Sequence, residues 1–240
     1  MEQLTFELAP PEPPRFSNFL PGGNRELVAA LERFAGGEDG APGFLIWGAA
    51  GTGKTHLLRA AVALAAERGI AARYYPEPKA VADDAGVESA AADLLAIDRV
   101  DEADPAGSSR LFTAYNALRQ RHGRMLAASR TPLAALSLRE DLRTRLGWGL
   151  VYEALPLADD EKPAALAAYA RQRGFELSGE VIDYLLRHGR RDMGSLLGAV
   201  VALDRLSLAA RRPITVPLLR DWLQATLDVE SQPARAPADS

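Results

Sequence analysis

The feature that most constrains the fold of this chain is a glycine-rich segment, Gly48–Thr55, whose sequence GAAGTGKT fits the pattern G-x-x-x-x-G-K-[ST] without a mismatch. The apolar run Phe44–Trp47 precedes it, and an amphipathic helix is expected from about Lys54 to Arg68. Glycines let successive backbone N–H groups point at phosphate oxygens, and the N-terminus of the helix adds the positive end of a dipole. The pattern predicts a phosphate-binding loop; the alternative is a glycine-rich turn without a ligand.

The side chains at the end of this loop have distinct chemical roles. Lys54 adds a mobile positive charge, and the Thr55 hydroxyl is predicted to ligate Mg²⁺. His56 follows directly, where the plainer role of a histidine is to pack beside the start of the helix. The predicted ligand is ADP or ATP with Mg²⁺. The predicted nucleotide-binding residues of this segment are Gly48, Ala49, Ala50, Gly51, Thr52, Gly53, Lys54, Thr55 and His56.

A second strand end supplies one carboxylate where P-loop hydrolases usually have two. The apolar run Leu94–Ile97 reads as a strand and is followed by Asp98, which is predicted to ligate Mg²⁺ together with Thr55. The next residue is Arg99, which cannot act as a general base at neutral pH because the pKa of arginine exceeds ~12. The sequence therefore predicts a chain that binds a magnesium nucleotide and hydrolyses it poorly.

The order of the elements predicts an α/β domain followed by a helical one. Apolar runs alternate with amphipathic helices up to about Leu155, which implies a parallel sheet with crossover helices. After Pro156 only helical patterns follow. The predicted division is a flexible tail, an α/β nucleotide-binding domain, a helical lid domain and a second flexible tail, at residues 1–15, 16–156, 157–228 and 229–240.

The composition excludes several classes of protein. The chain has no cysteine, which excludes disulfides, thiolate catalysis and cysteine-ligated metals. Lys and Arg total 28 against 32 Asp and Glu, a formal net charge of −4, which argues against direct, sequence-specific binding of DNA. The longest apolar runs are shorter than the roughly 20 residues needed to cross a bilayer. The N-terminus lacks the pattern of a signal peptide, so we expect a cytoplasmic protein with no membrane partner.

Three motifs, in this order and spacing, resemble those of the DnaA group of bacterial AAA+ replication initiators. Phe16–Asn24 is similar to the opening motif of that group, Gly48–Thr55 to its phosphate loop, and Thr144–Val151 to a later box with Trp-Gly. The resemblance covers residues 16 to about 227. It implies an α/β fold of the AAA+ P-loop NTPase type, a parallel sheet with a C-terminal helical lid domain.

The resemblance also implies roles for single residues. Asn18 and Phe19 match the part of the opening motif that lies along the nucleotide base. Arg145 matches an arginine that acts on the nucleotide of a neighbouring molecule, an arginine finger in trans. Arg143 is a nearby alternative, and a surface salt bridge at a helix end is the plainer role for Arg145.

The chain further resembles a regulatory branch of this group, whose members inactivate the initiator. The sequence ends where an initiator would continue into a helix-turn-helix DNA-binding domain. The N-terminal residues Gln3, Leu4, Phe6 and Leu8 are similar to a peptide that binds the sliding clamp of DNA polymerase III by burying its apolar side chains. The resemblance implies the initiator DnaA and this clamp as partners; the alternative is a tail without a partner, and a homo-oligomer is left open.

The departures from the family pattern fall on residues that would serve hydrolysis of the protein's own bound nucleotide. Arg99 replaces the second acid, Arg130 replaces the acid of the turn after the next strand, and Gly194 stands where the lid usually offers an arginine. The sequence predicts an adaptor that stimulates a partner's hydrolysis rather than its own. The alternatives are a self-sufficient AAA+ ATPase of the helicase-loader type and a nucleotide-gated interaction module.

Overall fold

The computed structural model of the protein describes residues 13–81, 92–190 and 192–230. These residues form two compact units, and the chain passes from the first to the second between Leu155 and Pro156. The tip of the phosphate loop, Ala50–Thr52, groups with the second unit. Within the described ranges, no helix is long and apolar enough to span a membrane.

The first unit is built on a parallel sheet. The strands found in the described residues are β1 to β5, at Gly43–Trp47, Ala72–Tyr75, Leu94–Ile97, Arg124–Ser129 and Leu150–Glu153. They lie in the order β2-β3-β4-β1-β5, with every neighbouring pair parallel. This order places β1, the strand that leads into the phosphate loop, between β4 and β5.

Helices and short turns connect these strands. The helices α1 to α4 of the first unit span Arg25–Ala35, Lys54–Glu67, Pro105–Gln120 and Glu140–Leu146. Short 3-10 turns lie at Phe16–Asn18, Gly22–Asn24, Pro78–Val81, Val100–Glu102 and Leu133–Ala135. Parallel strands need such crossover connections because the chain must return to the same edge of the sheet before each strand begins.

The sheet has an apolar core on each face. Successive residues of β1 point to opposite faces, so Phe44 and Ile46 pack with α1 and α2, whereas Leu45 belongs to the cluster on the other face. That second cluster includes Tyr115 of α3 and Leu142 of α4. Since both faces are covered, β1 and β3 are continuous apolar runs, as expected for a buried parallel sheet.

The second unit is helical in its described residues. Helices α5 to α8 span Lys162–Gln172, Gly179–His188, Met193–Ala210 and Val216–Glu230. Their shared core is made of buried aliphatic side chains, among them Leu166, Leu185, Val200, Leu203 and Leu219. An ion pair of 2.9 Å between Arg173 and Asp204 joins the segment after α5 to α7. The fold predicted from the sequence, a parallel α/β unit followed by a helical one, is thus confirmed.

Candidate nucleotide site and arginine surface

The phosphate loop has the backbone geometry that its glycines permit. Gly53 has a φ of 88°, and a Cβ there would lie 2.6 Å from the Phe19 ring. At Gly48 a Cβ would lie 2.4 Å from the carbonyl oxygen of Ala154. Because both approaches are closer than a methyl group tolerates, the loop can follow this path only with glycine at these two positions.

Lys54 lies folded against its own loop. Its Nζ donates hydrogen bonds to the carbonyl oxygens of Gly48 at 2.7 Å and Ala49 at 2.6 Å. Burial lowers the pKa of Lys54 from its ordinary value, while the nearby charges of Asp98 and Asp101 act in the opposite direction. The ammonium group is therefore held inside the loop by neutral carbonyl oxygens, beside two carboxylates.

The two residues predicted to ligate Mg²⁺ are in direct contact. Thr55 Oγ1 donates to Asp98 Oδ2 at 2.5 Å, and Asp98 is only 4% exposed. The backbone N–H of Arg99 donates to the other carboxylate oxygen at 2.9 Å. Magnesium is bound in proteins by one or two carboxylates together with substrate phosphates, so a hydroxyl and a carboxylate beside a phosphate loop fit this ion.

Arg99 occupies the position of the missing second acid in a left-handed conformation, with a φ of 52°. Its guanidinium donates to the Pro76 carbonyl oxygen at 3.0 Å and pairs with Glu77 at 3.4 Å and Glu102 at 3.3 Å. The side chain is a cation engaged with carboxylates, and it offers no basic atom that could accept a proton from a water molecule.

The opening motif contacts the start of α2. The Phe19 ring lies 5.5 Å from that of His56, whose Nε2 is 2.9 Å from the carbonyl oxygen of Arg15. Burial lowers the pKa of His56, and the hydrogen bond to Arg15 acts against this. The Asn18 side chain is used locally, since it accepts from the Arg15 N–H at 2.8 Å and donates to the Pro13 carbonyl oxygen at 3.1 Å. Phe19 and His56 are thus brought to the loop, while the Asn18 amide stabilises its own turn.

Arg145 lies in the last turn of α4, half-buried against α3. Its guanidinium is stacked 4.2 Å from the centroid of the Phe112 ring and donates a hydrogen bond to Asn116 Oδ1. Both contacts are with uncharged groups, so the positive charge of Arg145 is oriented without being neutralised by them. No sequence motif predicts that Phe112 and Asn116 orient the Arg145 guanidinium. The sequence shows only that they are four residues apart, which places them on one face of a helix.

An open cavity of about 690 Å³ adjoins this arginine. The residues that line it are Arg139, Glu140, Asp141, Thr144, Arg145 and Trp148. Trp148 is 63% exposed, which is unusual for so large an apolar side chain. We call this set the arginine surface.

The chain that follows the arginine surface leads to the end of β1 that is remote from the phosphate loop. After α4 the chain passes Gly149, where a Cβ would lie 2.1 Å from the carbonyl oxygen of Gly43, at the beginning of β1. The phosphate loop begins beyond Trp47, at the other end of this strand. Five residues of strand correspond to about 16 Å. Gly149, which follows Arg145 closely in the sequence, is therefore separated from the loop by the length of the strand.

Arg130 and Gly194 are the two other positions at which the sequence departs from the family pattern described above. The Arg130 guanidinium pairs with Glu102 at 2.8 Å, and its backbone N–H donates to Asp101 at 3.1 Å. Gly194 is exposed in the first turn of α7, next to the helix cap Asp192, which accepts from the Ser195 N–H at 2.9 Å. The predicted clamp-binding residues Gln3, Leu4, Phe6 and Leu8 lie outside the described residues.

A parallel sheet with a phosphate loop, followed by a helical lid, defines the AAA+ class of P-loop proteins. Among solved structures, the chain is similar to domain III of the replication initiation protein DnaA from Thermotoga maritima, with 21% identity over 90% of this chain and 99% of that chain and a TM-score of 0.78. It is similar to AMPPCP-bound DnaA from Aquifex aeolicus, with 24% identity, coverage of 92% and 71%, and a TM-score of 0.70.

The same fold is found in the RuvB Holliday junction branch migration motor of Thermotoga maritima, with 16% identity, coverage of 89% and 72%, and a TM-score of 0.65. At these identities the likeness shows the fold. The second unit gives a more specific match, because residues 159–223 match the family described as Hda, lid domain. The second unit therefore matches the Hda lid domain, and the chain as a whole has the AAA+ fold that DnaA shares.

Proposed function

We propose that this protein is a negative regulator of replication initiation that stimulates the hydrolysis of ATP bound to DnaA. It binds the DNA-loaded sliding clamp through Gln3, Leu4, Phe6 and Leu8, and it supplies Arg145 as an arginine finger. Its own nucleotide, ADP or ATP with Mg²⁺, holds the protein in the conformation that binds its partners. We expect the protein to act in the cytoplasm.

The observation that carries this proposal is the position of Arg145. It lies next to an open cavity, shortly before Gly149, which approaches the end of β1 remote from the phosphate loop. Its guanidinium contacts the Phe112 ring and Asn116, which are both uncharged. An arginine so placed serves an external phosphate better than an internal one. A finger of this kind stabilises the charge of the phosphoryl-transfer transition state and contributes roughly 10³–10⁵ in rate.

Nucleotide binding is supported by the loop and by its relatives. The AMPPCP-bound DnaA shares the fold, and the chain has Lys54, Thr55 and Asp98 at the loop and the adjacent strand end. A bound magnesium ion would neutralise phosphate charge there, with Thr55 and Asp98 as its protein ligands. The loop N–H groups and Lys54 bind the phosphates, while Phe19 and His56 close the loop on the side of the opening motif.

The chain's own turnover is proposed to be weak or absent. The position of the water-activating acid holds Arg99, which is paired with Glu77 and Glu102, and the lid position of the γ-phosphate arginine is Gly194. A P-loop site without these groups retains its phosphate contacts and loses the groups that align and activate water. This separation of binding from hydrolysis is what an adaptor requires.

The test is an ATP hydrolysis assay with purified DnaA preloaded with ATP, with and without the sliding clamp on DNA. At low concentration, we expect the wild-type chain to stimulate hydrolysis only when the clamp is present. Arg145→Ala should lower the rate to that of DnaA alone, because the transition-state charge loses its partner. Arg143→Ala, two residues away on the same helix, is the matched control and should retain the stimulation.

Deletion of residues 1–8 tests the tail in the same assay. The clamp raises the local concentration of the regulator, so the deletion should abolish stimulation at low concentration and leave part of it at high concentration. Equal rates for Arg145→Ala and wild type would reject the finger. Rapid phosphate release by the chain alone would favour the second candidate, a self-sufficient ATPase of the helicase-loader type.

A further inference from the structure

We propose that Tyr74 is a positioning residue for the magnesium-binding carboxylate, Asp98, and that Arg59 holds Tyr74 in place. This inference rests on the nucleotide site proposed above. It assigns a role to two residues outside the phosphate loop and outside the acidic strand end.

The sheet brings Tyr74 to Asp98. Tyr74 in β2 is opposite Ala96 in β3, and Asp98 is two residues further along, so both side chains are on the face of the sheet that α2 covers. The Tyr74 hydroxyl donates to Asp98 Oδ2 at 3.3 Å. This is the same oxygen that accepts from Thr55, at 2.5 Å.

Asp98 is thus oriented by donors at both of its oxygens. Oδ1 accepts from the backbone N–H of Arg99 at 2.9 Å, and Oδ2 accepts from Thr55 and Tyr74. Thr55 is itself a proposed metal ligand, so Tyr74 is the donor to Oδ2 that does not also ligate the ion. Donors behind a ligand carboxylate fix its direction, and their loss typically costs about 10–100-fold in metal affinity.

Arg59 fixes the ring that carries this hydroxyl. Its guanidinium lies 4.8 Å from the centroid of the Tyr74 ring, one helical turn after Thr55 on α2. One helix face therefore supplies both the metal-ligating hydroxyl and the cation that packs on the tyrosine.

The test is the magnesium dependence of nucleotide binding, measured with a fluorescent ADP analogue at increasing Mg²⁺ and in EDTA. Tyr74→Phe should raise the Mg²⁺ concentration for half-maximal binding by about 10-fold and leave the affinity in EDTA unchanged. Arg59→Met should raise it by about threefold, since a stacked cation contributes less. Tyr152→Phe, which removes a hydroxyl from β5, is the matched control and should behave as wild type. With Mn²⁺ in place of Mg²⁺, the width of the electron paramagnetic resonance signal of the nucleotide complex gives a second readout of the ligand geometry.

The possible results distinguish a failure of the Tyr74 role from a failure of the magnesium site or of nucleotide binding. Unchanged magnesium dependence in Tyr74→Phe overturns the inference while nucleotide binding stands. An equal loss of affinity in EDTA and in Mg²⁺ also overturns it, because the effect would then be on the loop. If the wild-type chain binds the analogue equally well with and without Mg²⁺, the magnesium role of Asp98 fails together with the inference. If it binds no nucleotide, the proposed function fails first.

Discussion

Asp98 and Arg99 are adjacent in the sequence, and the structure uses their side chains in opposite ways. The Asp98 carboxylate is buried beside the phosphate loop, where Thr55 and Tyr74 donate to it. The Arg99 guanidinium is directed to carboxylates instead, and only its backbone N–H remains in the site. A change at one position can therefore remove the group that activates water and leave the metal-binding group in place.

His56 provides a prediction about pH. Burial lowers its pKa below the ordinary value of 6.5, so in acid the unfolded chain binds a proton that the folded chain does not. Stability rises with pH wherever the unfolded state binds more protons. We expect the free energy of unfolding to fall as the pH decreases below about 6.5, and His56→Gln to remove this part of the fall.

The measurement is urea unfolding of wild type and His56→Gln between pH 5 and pH 8. The difference in unfolding free energy between the two proteins should change below about pH 6.5 and be constant above about pH 7.5. A difference that is constant over the whole range would contradict the lowered pKa.

The sequence predicts those site residues whose chemical role fixes their type. A phosphate loop needs glycine, lysine and a hydroxyl in a set order, so Lys54 and Thr55 could be predicted from this pattern, and Asp98 could be predicted from the apolar run that it follows. Tyr74 could not be, because a tyrosine near the end of a strand is equally suited to packing. Its role depends on the register of β2 against β3, a non-local feature.

At the scale of the elements, apolar periodicity predicts the strands and the longer helices well. The differences are at the ends. Helix α3 begins at Pro105, because Asp104 accepts from the Gly107 N–H and proline suits the first turn, and apolar periodicity does not reveal this start. Helix α4 has no strong periodicity, since it has only seven residues and buries only two of them, so its contribution to the arginine surface could not be read from the pattern.

The start of α1 provides a prediction at this scale. Asn24, which precedes α1, donates through Nδ2 to the carbonyl oxygen of Leu155 at 2.8 Å and accepts from the Leu155 N–H at 2.7 Å. This pair ties the helix to the segment after β5, and Asn24 is only 4% exposed. Asn24→Ala should lower the free energy of unfolding by about 2 kcal/mol, because two backbone groups lose their partners.

Chemical denaturation of the two proteins measures this loss. Asn24→Asp, which keeps an acceptor for the Leu155 N–H and has no amide donor, should lie between wild type and Asn24→Ala. If Asn24→Ala were as stable as wild type, the tie between α1 and the end of β5 would have no energetic role.

At the scale of the whole molecule, the parallel sheet and the helical lid follow from the order of the elements, but the strand order does not. Consecutive strands β1 and β2 are separated in the sheet by β3 and β4. Pairing between residues that are distant in sequence leaves no local signal, so no periodicity reveals it. This order nevertheless decides the function proposed here, because it sets Asp98 near the phosphate loop and the end of α4 beside the beginning of β1.

The overall charge leads to a last prediction, on the route by which the protein reaches DNA. Affinity for bare duplex DNA comes mainly from neutralising phosphates, and a chain with a formal net charge of −4 has no cationic surplus for this. We expect no retention of the isolated chain on duplex DNA at about 100 mM salt, and clear retention once the sliding clamp is loaded on the same DNA. Deletion of residues 1–8 should abolish this clamp-dependent retention, as measured by gel filtration of the loaded complex. Strong binding to clamp-free DNA that weakens steeply with salt would show instead that the chain reaches DNA through its own basic side chains.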